Sequence, residues 1–418
     1  MPELKPFQVA GARFLAARTR ALLACEPGTG KTAQVIQACS LVGARRVLVV
    51  CPAVGIEHWK REFKRWWPGA VLPHVDVISY DRARGLRGVK LRRYDVLVPD
   101  ECHFAKNPAA QRTHALYAKG GLGYYADRIW ALSGTPAPNH AGELWPLLRA
   151  FGATGMGYEE FIRYFCRVDD MGKIHGTRMD RVDKLKGIME PFLLRRRKRD
   201  VLPELGEIDV QEWYVEPRAD YCSPVGDSVE LAGQECQLRA ALAGKSAEEL
   251  LAFLAGDKEF ATLRRYNALL KAPAVFDQVM FEIDNGLLDK VVIYGYHKEP
   301  LEILRQKFDA AGVGAALVYG GTTDRDGEVQ RWKSPGGPKV MLASIIAAGV
   351  VLDFTEAHQG VMVELDWVVG NNQQAAQRMH RHGQESPVTV RVAIGSEIDE
   401  IVNDVLIRKT RELAAIFD

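Results

Sequence analysis

Short apolar segments rich in β-branched residues alternate with helical patterns in two separate stretches of the chain. The first stretch contains ALLAC, RRVLVVCP, VDVISY, YDVLVPDE and DRIWALSGT, and the second contains KVVIYGY, AALVYG, KVMLASI, VMVELD and VTVRVAI. Continuous apolar strands separated by helices are typical of parallel sheets that helices cover on both faces. The sequence therefore predicts an α/β protein with two mostly parallel sheets.

The length and the order of these patterns predict two domains. A chain of 418 residues is too long for one ordinary hydrophobic core. Between the two alternating stretches, residues 156–285 have mainly helical patterns, apart from the strand-like segment DVQEWYV. A turn-forming break, PELG, follows a basic run at residues 203–206. We therefore predict lobe 1 at residues 1–203 and lobe 2 at residues 204–418, with a helical lead-in at about 230–285.

The composition excludes several classes of protein. The net charge of +2 is close to neutral, so any surface that binds nucleic acid must be local. The seven cysteines are scattered without a CxxC pair, which argues against a zinc site and for a reducing compartment. No apolar run is long enough to span a membrane. We expect a protein without a membrane partner that is cytoplasmic, or viral and active in a host cytoplasm, with a nuclear location left open.

The segment CEPGTGKT, residues 25–32, lies between a predicted strand and a predicted helix. Glycines allow backbone N–H groups to converge on phosphate oxygens, and the amino terminus of a helix adds a favourable dipole. Lys31 would then reach the β- and γ-phosphates, and the Thr32 hydroxyl would bind Mg²⁺. The remaining residues of this candidate nucleotide loop are Pro27, Gly28, Thr29 and Gly30. The alternative interpretation is a glycine-rich turn, since Cys25 makes the match a loose one.

The segment VLVPDECH, residues 96–103, ends an apolar strand in two adjacent carboxylates. The carboxyl edge of a parallel sheet is where ligands bind in α/β proteins. There, Asp100 could hold Mg²⁺ through water, and Glu101 could orient or deprotonate the attacking water. A solvated acidic turn is the alternative. Together with the upstream loop, the pair predicts an ATP-hydrolysing site that uses ATP and Mg²⁺.

These two motifs belong to a longer series. In the first half the series reads LKPFQVAGARFL, EPGTGKT, VVCPAVGIEHWKREFKRW, VISYDRA, DECH, LSGTPAPN and FLLRRRKRDVLPELG. In the second half it reads KVVIYGYHKEPLEIL, VYGGTTDRDGEVQRW and QAAQRMHRHGQ. In this order and over nearly the whole chain, the series resembles a Swi/Snf-type motor of helicase superfamily two. Three segments, YHKEPLEIL, SIIAAGVVLDF and VELDWVVGNNQQAAQR, favour the annealing-helicase (fork-remodelling) branch.

The resemblance implies two RecA-like lobes with the ATP site in the cleft between them. It implies that Gln8 reads the adenine and that Gln374 also contributes to nucleotide binding. It further implies that Arg378 and Arg381, three apart on one helix face, act as arginine fingers on nucleotide held by lobe 1. Residues implied in coupling or DNA contact are Ser133, Thr135, Ser344 and His380. The basic run at residues 195–199 would be a hinge element, with DNA contact secondary.

One segment departs from the family pattern. At residues 344–353 the chain reads SIIAAGVVLD, so Val351 occupies a glycine position and Asp353 an asparagine-like position. Valine cannot adopt the positive φ that glycine allows, and an acid near a phosphate track is unfavourable. DNA contact or ATP coupling through this segment is therefore weakened in this interpretation.

The leading hypothesis is a monomeric, DNA-stimulated ATP hydrolase that translocates on double-stranded or branched DNA and remodels it, with a protein partner for targeting. A strand-separating helicase is the first alternative, although we see no candidate insertion for a separating pin. A nucleotide-gated DNA clamp with weak hydrolysis is the second, suggested by Val351 and Asp353. A small-molecule kinase is the third, but it would not need a lobe that ends in QRMHRHGQ.

Overall fold

The computed structural model describes residues 2–86, 93–218, 258–348, 352–381 and 383–418, and it forms two compact units. Unit 1 comprises Met1–Glu204 together with Lys409–Asp418, and unit 2 comprises Leu205–Arg408. The predicted second lobe ran to the end of the chain, whereas the last ten residues pack with unit 1. Val351 and the first part of the predicted helical lead-in lie outside the described residues.

Unit 1 contains a six-stranded parallel sheet. Its strands are β1 (Arg20–Leu23), β2 (Arg46–Cys51), β3 (His74–Ser79), β4 (Tyr94–Pro99), β5 (Ala126–Leu132) and β8 (Leu193–Leu194), in the spatial order β3-β2-β4-β5-β1-β8. The helices of this unit are α1 (Pro6–Ala16), α2 (Lys31–Leu41), α3 (Ile56–Trp66), α4 (Tyr80–Arg84), α5 (Gln111–Tyr117), α6 (Trp145–Ala150), α7 (Tyr158–Phe165), α8 (Val182–Met189) and α9 (Lys198–Val201).

Both faces of this sheet are buried, as continuous apolar strands require. Along β2, Val47 and Val49 pack on one face with residues of α1, α2 and α3. Leu48 and Val50 pack on the other face with residues of α4, α5 and α6. Because β1, β2 and β4 are largely buried on both faces, the polar residues that follow them are placed at the edge of the sheet where these strands end.

Two elements of unit 1 were not predicted. The pair β6 (Cys166–Val168) and β7 (Ile174–Thr177) forms a small antiparallel hairpin, and β8 has only two residues. The sequence predicts mainly helices in this region. Its strands are too short to show an alternating pattern, and β8 is defined by its pairing with β1, about 170 residues earlier, rather than by a local signal.

Unit 2 contains a second six-stranded parallel sheet. Its strands are β9 (Asp209–Tyr214), β10 (Val291–Gly295), β11 (Ala315–Val318), β12 (Val340–Ser344), β13 (Gln359–Met362) and β14 (Thr389–Ile394), in the order β11-β12-β10-β13-β14-β9. Its helices are α10 (Lys258–Asp284), α11 (Lys298–Ala310), α12 (Arg325–Lys333), α13 (Ile345–Ala348), α14 (Val369–Ala376) and α15 (Glu397–Phe417), the last of which ends in unit 1.

The second sheet is also covered on both faces. Val292 and Tyr294 of β10 pack with residues of α12, α13 and α14, while Val291 and Ile293 pack with residues of α10 and α11. The predicted α/β class with two mostly parallel sheets is therefore confirmed. Among the residues that the structure describes, no helix is both long and apolar enough to cross a bilayer.

Candidate nucleotide and magnesium site

The predicted nucleotide loop connects the end of β1 with the first turn of α2. Gly28 and Gly30 have φ angles of 86° and 72°, which are values that glycine adopts without strain. A side chain at Gly30 would also collide with Gln8, since a Cβ there would lie 2.3 Å from Gln8 Nε2. The loop therefore requires glycine for its backbone and for its approach to α1.

Lys31 and Gln8 both fold onto this loop. The Lys31 ammonium donates to the carbonyl of Cys25 at 2.9 Å and to that of Glu26 at 3.4 Å. Gln8 Nε2 donates to the Thr29 carbonyl at 3.3 Å, and its Oε1 accepts the Lys5 N–H at 2.9 Å. The helix α2 has its N-cap at Gly30, so its unpaired N–H groups and Thr32 lie at the loop.

The two predicted carboxylates follow β4 at the same edge of the sheet. Asp100 forms a parallel bridge with Leu132, and its side chain accepts the Trp59 indole N–H at 2.8 Å. Burial and the charge of Glu101 raise the pKa of Asp100, and burial also raises the pKa of Glu101. The positive charge of Lys31 opposes both increases, so it lies close enough to act on both carboxylates.

Glu101 is held in an unusual backbone conformation. Its φ of 50° and ψ of 55° make it the one non-glycine residue with positive φ in the described parts of the chain. Such a conformation costs on the order of 1 kcal/mol and persists only when surrounding contacts enforce it. The Tyr80 hydroxyl supplies such contacts, with distances of 2.9 Å to the Asp100 carbonyl and 3.3 Å to the Glu101 carbonyl.

A chain of hydrogen bonds joins Glu101 to the segment LSGTPAPN, residues 132–139. This segment contains the predicted coupling residues Ser133 and Thr135 and is hereafter called the coupling segment. The Ser133 hydroxyl donates to Glu101 Oε2 at 3.3 Å and accepts the backbone N–H of Thr135 at 3.1 Å. His103 Nδ1 lies 2.9 Å from the same hydroxyl, which assigns the proton to Nδ1 if Ser133 donates to Glu101. The structure therefore brings Glu101, His103, Ser133 and Thr135 together.

The residues at this edge fit Mg²⁺ bound with a nucleotide. Magnesium prefers oxygen ligands and usually takes one or two carboxylates together with substrate phosphates. Two adjacent acids with raised pKa values supply such oxygens, and a divalent cation would relieve their mutual repulsion. No group of three or more His, Cys, Asp or Glu residues suited to a metal occurs in the described segments, so phosphate oxygens would have to complete the coordination.

Unit 2 carries the remaining predicted residues. Gln374 lies in α14, and Arg378 follows it; both are largely buried. Because α14 ends at Ala376, the prediction that Arg378 and Arg381 share one helix face is wrong. His380 is also buried, and its Nε2 lies 2.9 Å from the Leu205 carbonyl. Burial lowers the pKa of the Arg381 guanidinium, while Asp353 and Tyr294 oppose this effect. Ser344 ends β12, where its hydroxyl accepts the N–H of Ala347 at 3.2 Å.

The acid that departs from the family pattern is not isolated. Asp353 Oδ2 lies 2.8 Å from the Lys333 ammonium and accepts the Thr355 hydroxyl at 3.3 Å. Lys333 also contacts Glu356 at 3.0 Å. The negative charge of Asp353 is therefore compensated within unit 2, which weakens the electrostatic objection raised from the sequence.

Some residues of the site were not predicted. Trp59, which is fully buried, orients Asp100 through its indole N–H. Arg195 contacts the strand end before the nucleotide loop and also the coupling segment, through the carbonyls of Ala24 and Gly134. Both are sequence-distant contacts. The basic run offered the only local signal for Arg195, and it does not distinguish one arginine from the next.

Comparison with known proteins identifies the family. The model of the SNF2-related domain matches residues 7–98 and 74–219, which together make up more than half of the chain. The chain belongs to the SNF2-related domain family. The match includes the nucleotide loop, the carboxylate pair and the coupling segment of unit 1. It ends near the start of unit 2.

Individual relatives extend the similarity over both units. The bovine "SWI/SNF-related matrix-associated actin-dependent regulator of chromatin subfamily A-like protein 1" is 28% identical over 93% of this chain, which spans 42% of that relative. The bovine "DNA annealing helicase and endonuclease ZRANB3" is 24% identical over 98% of this chain, which spans 40% of that relative. The chain thus spans less than half the length of these SNF2-type relatives.

The chain is 20% identical to a solved structure, the Sulfolobus solfataricus SWI2/SNF2 ATPase core in complex with dsDNA. The match covers 100% of this chain and 97% of the chain in that structure. Its TM-score is 0.44. A likeness at this score adds nothing to the family assignment, which depends on the sequence match.

His103 generates a testable pH dependence. Burial lowers the pKa of His103 to about 3, with Lys106 adding to the effect and Glu143 opposing it. Between pH 3 and an unfolded value of about 6.5, the folded protein therefore binds fewer protons than the unfolded chain, so stability falls as pH falls. From about pH 7.5 to about pH 5, we expect a loss of about 2 kcal/mol from this group.

The measurement is the thermal unfolding midpoint of the wild type and of His103→Asn across this range. His103→Asn should be relatively less destabilised at low pH than the wild type. The control is His74→Asn, because the His74 side chain is 59% exposed. Parallel pH profiles for the wild type and His103→Asn would show that folding does not lower the pKa of His103.

Proposed function

We propose that this protein is a DNA-stimulated ATP hydrolase that translocates on double-stranded or branched DNA and remodels it. The observation that supports this most strongly is the arrangement at one edge of the unit 1 sheet. There β5 lies between β1 and β4, with Leu132 paired to Leu23 and bridged to Asp100, so the nucleotide loop and the Asp100–Glu101 pair follow the two strands that flank β5. The charge of Lys31 counteracts the raised pKa values of both carboxylates. A phosphate-binding loop beside a partly buried acid pair is the arrangement that phosphoryl transfer to water requires.

In this proposal the unit 1 residues bind and orient. Residues 27–30 and the first turn of α2 hold the phosphates, Lys31 neutralises the β- and γ-phosphates, and Gln8 reads the base. Thr32 and Asp100 hold Mg²⁺, which would supply charge neutralisation at the transferred phosphoryl group. Glu101 orients the attacking water and accepts its proton. Its backbone strain and its bond from Ser133 fix the carboxylate in one direction.

We propose that the coupling of ATP hydrolysis to movement on DNA begins at the hydrogen bonds of Ser133. Ser133 touches Glu101 and also accepts the N–H of Thr135, so a displacement of the segment after β5 reaches the carboxylate directly. Arg378 and Arg381 would act as arginine fingers, and Gln374 would contribute to nucleotide binding. Ser344 and His380 belong to coupling or DNA contact in the same scheme.

The DNA part of the proposal comes from the relatives. One of them is named a DNA annealing helicase and another a regulator of chromatin. We therefore propose double-stranded or branched DNA as the polymer, a protein partner for targeting and a monomeric state. DNA would be gripped through phosphates, which carry little sequence information.

The first test separates nucleotide binding from turnover. Lys31→Ala should weaken ATP binding and slow hydrolysis, because a positive charge at the phosphates is removed. Glu101→Gln should retain ATP binding and lose turnover by about a hundredfold or more, because only the group that orients water and accepts its proton changes. Binding is measured by calorimetry and turnover by phosphate release. Near wild-type turnover in Glu101→Gln would contradict the role of the carboxylate pair.

The second test concerns Arg381. Arg381→Ala should slow turnover by about a thousandfold, the low end of arginine-finger effects, and leave ATP affinity nearly unchanged. The matched control is Arg331→Ala, since Arg331 is an exposed arginine of unit 2 paired with Glu328. Equal losses of affinity and of turnover in Arg381→Ala would place this arginine in ground-state binding instead.

The third test identifies the polymer. ATP hydrolysis is measured without DNA and with single-stranded, duplex and forked DNA at matched nucleotide concentrations. We expect the strongest stimulation with duplex or forked DNA, ATP-dependent displacement of a triplex-forming strand, and no unwinding of a blunt duplex. Because the net charge is only +2, we expect few phosphate contacts and a modest salt dependence. Best stimulation by single strands, with displacement of a strand from a tailed duplex, would instead identify a strand-separating helicase.

A further inference from the structure

The basic run at residues 195–199 divides into two parts in the structure. Arg195 and Arg196 point into unit 1, where the Arg195 side chain is 19% exposed and Arg196 donates to the Phe7 carbonyl at 2.6 Å. The side chains of Arg197 and Arg199 are 35% and 50% exposed and lie near Asp200. The basic run therefore contains two arginines that pack into unit 1 and two that are more exposed to solvent.

The first part of the run continues the sheet into the nucleotide loop. The backbone bonds run from Leu22 N–H to Phe192 O at 2.7 Å, from Ala24 N–H to Leu194 O at 2.9 Å, and from Glu26 N–H to Arg196 O at 3.0 Å. The last of these bonds lies beyond the end of β1, inside the loop itself. Glu26 Oε2 then accepts the backbone N–H of Lys198 at 2.7 Å.

Arg195 connects the loop with the coupling segment. Its Nη1 donates to the Ala24 carbonyl at 2.8 Å and to the Gly134 carbonyl at 3.1 Å, while its Nη2 lies 3.8 Å from Glu26 Oε1. Gly134 in turn packs on the loop, since a Cβ there would lie 2.7 Å from Pro27 Cδ. Arg195 Nε also donates to Asp418 Oδ1 at 3.2 Å. A planar guanidinium with five donors can serve these four groups together, whereas a lysine has only three donors.

We propose that the side chain of Arg195 and the backbones of Arg196 and Lys198, hereafter the tether, position the nucleotide loop and link nucleotide binding to the chain segment that leads into unit 2. This inference rests on the proposed nucleotide site. A loop with glycines at positions 28 and 30 has many accessible conformations, and ordering it on binding costs entropy. Contacts that hold the loop before the nucleotide arrives reduce that cost and increase affinity.

The effect of the tether on nucleotide binding requires an equal effect of nucleotide on the tether. If the tether favours the binding conformation of the loop, then bound nucleotide must stabilise the tether by the same factor. The segment in question, residues 195–204, is the end of unit 1 before Leu205. Arg195 is in this sense a positioning residue that acts through the carbonyl of Ala24, at the strand end before the loop, and through the carbonyl of Gly134.

The test compares two arginines from the same run. Binding of ADP with Mg²⁺ is measured by calorimetry for the wild type, Arg195→Ala, Arg195→Lys and the control Arg197→Ala. We expect Arg195→Ala to weaken binding by about fivefold or more, which is the low end of couplings between linked sites. Arg195→Lys should fall between Arg195→Ala and the wild type, and Arg197→Ala should bind like the wild type.

A second measurement detects the reverse effect and excludes a folding defect. Hydrogen exchange followed by mass spectrometry is measured for a peptide spanning residues 193–202, with and without Mg²⁺ and ADP. Nucleotide should slow exchange of this peptide in the wild type and in Arg197→Ala, and it should not do so in Arg195→Ala. Peptides from β2 should exchange equally in all variants, which shows that unit 1 is folded.

Two results would overturn the tether. One is equal ADP affinity for Arg195→Ala and Arg197→Ala, and the other is exchange of residues 193–202 that nucleotide leaves unchanged in the wild type. A wild type that binds ADP and Mg²⁺ without DNA-stimulated hydrolysis would contradict the proposed function alone. A wild type that binds no nucleotide would contradict both proposals.

Discussion

Both sheets of this protein are buried on two faces, and this constraint determines where chemistry can take place. A strand such as β2 or β10 contributes side chains alternately to two apolar layers. A polar side chain within such a strand would therefore be buried without contact with water. Along these central strands, polar residues are therefore confined to the turns at strand ends, whereas the edge strand β9 is largely exposed. In unit 1, the turns after β1, β4 and β5 lie at one edge and carry the glycine loop, the acid pair and Ser133.

Partial burial of the Asp100–Glu101 pair at that edge costs free energy. Burial raises the pKa of both adjacent carboxylates, and the charge of Glu101 raises the pKa of Asp100 further. The structure offsets this cost with donors to both acids, namely the Trp59 indole for Asp100 and the Ser133 hydroxyl for Glu101. Lys31 contributes a positive charge nearby. The same groups that make the pair tolerable also fix its orientation, which is what water activation needs.

Much of this arrangement could be predicted from the sequence because its signals are local. Strands such as β2 and β4 are continuous apolar runs, and the glycine loop and the acid pair are contiguous motifs. The elements that were missed depend on distant partners. The two residues of β8 form a strand because they pair with β1, and Trp59 meets an acid 41 positions away. The return of the chain end to unit 1 also left no periodic signal, since α15 reads as one continuous helix.

The basic run shows why composition alone does not reveal such contacts. Five consecutive cationic residues are most often a solvated surface, and charge counting treats them as equivalent. In the structure, the position of β8 beside β1 directs the backbone of residue 196 to Glu26 and the side chain of Arg195 to Ala24 and Gly134. The side chains of Arg197 and Arg199 are partly exposed, whereas Lys198 is buried and its backbone N–H still donates to Glu26. The difference between neighbouring arginines therefore arises from sheet register, which only the folded chain provides.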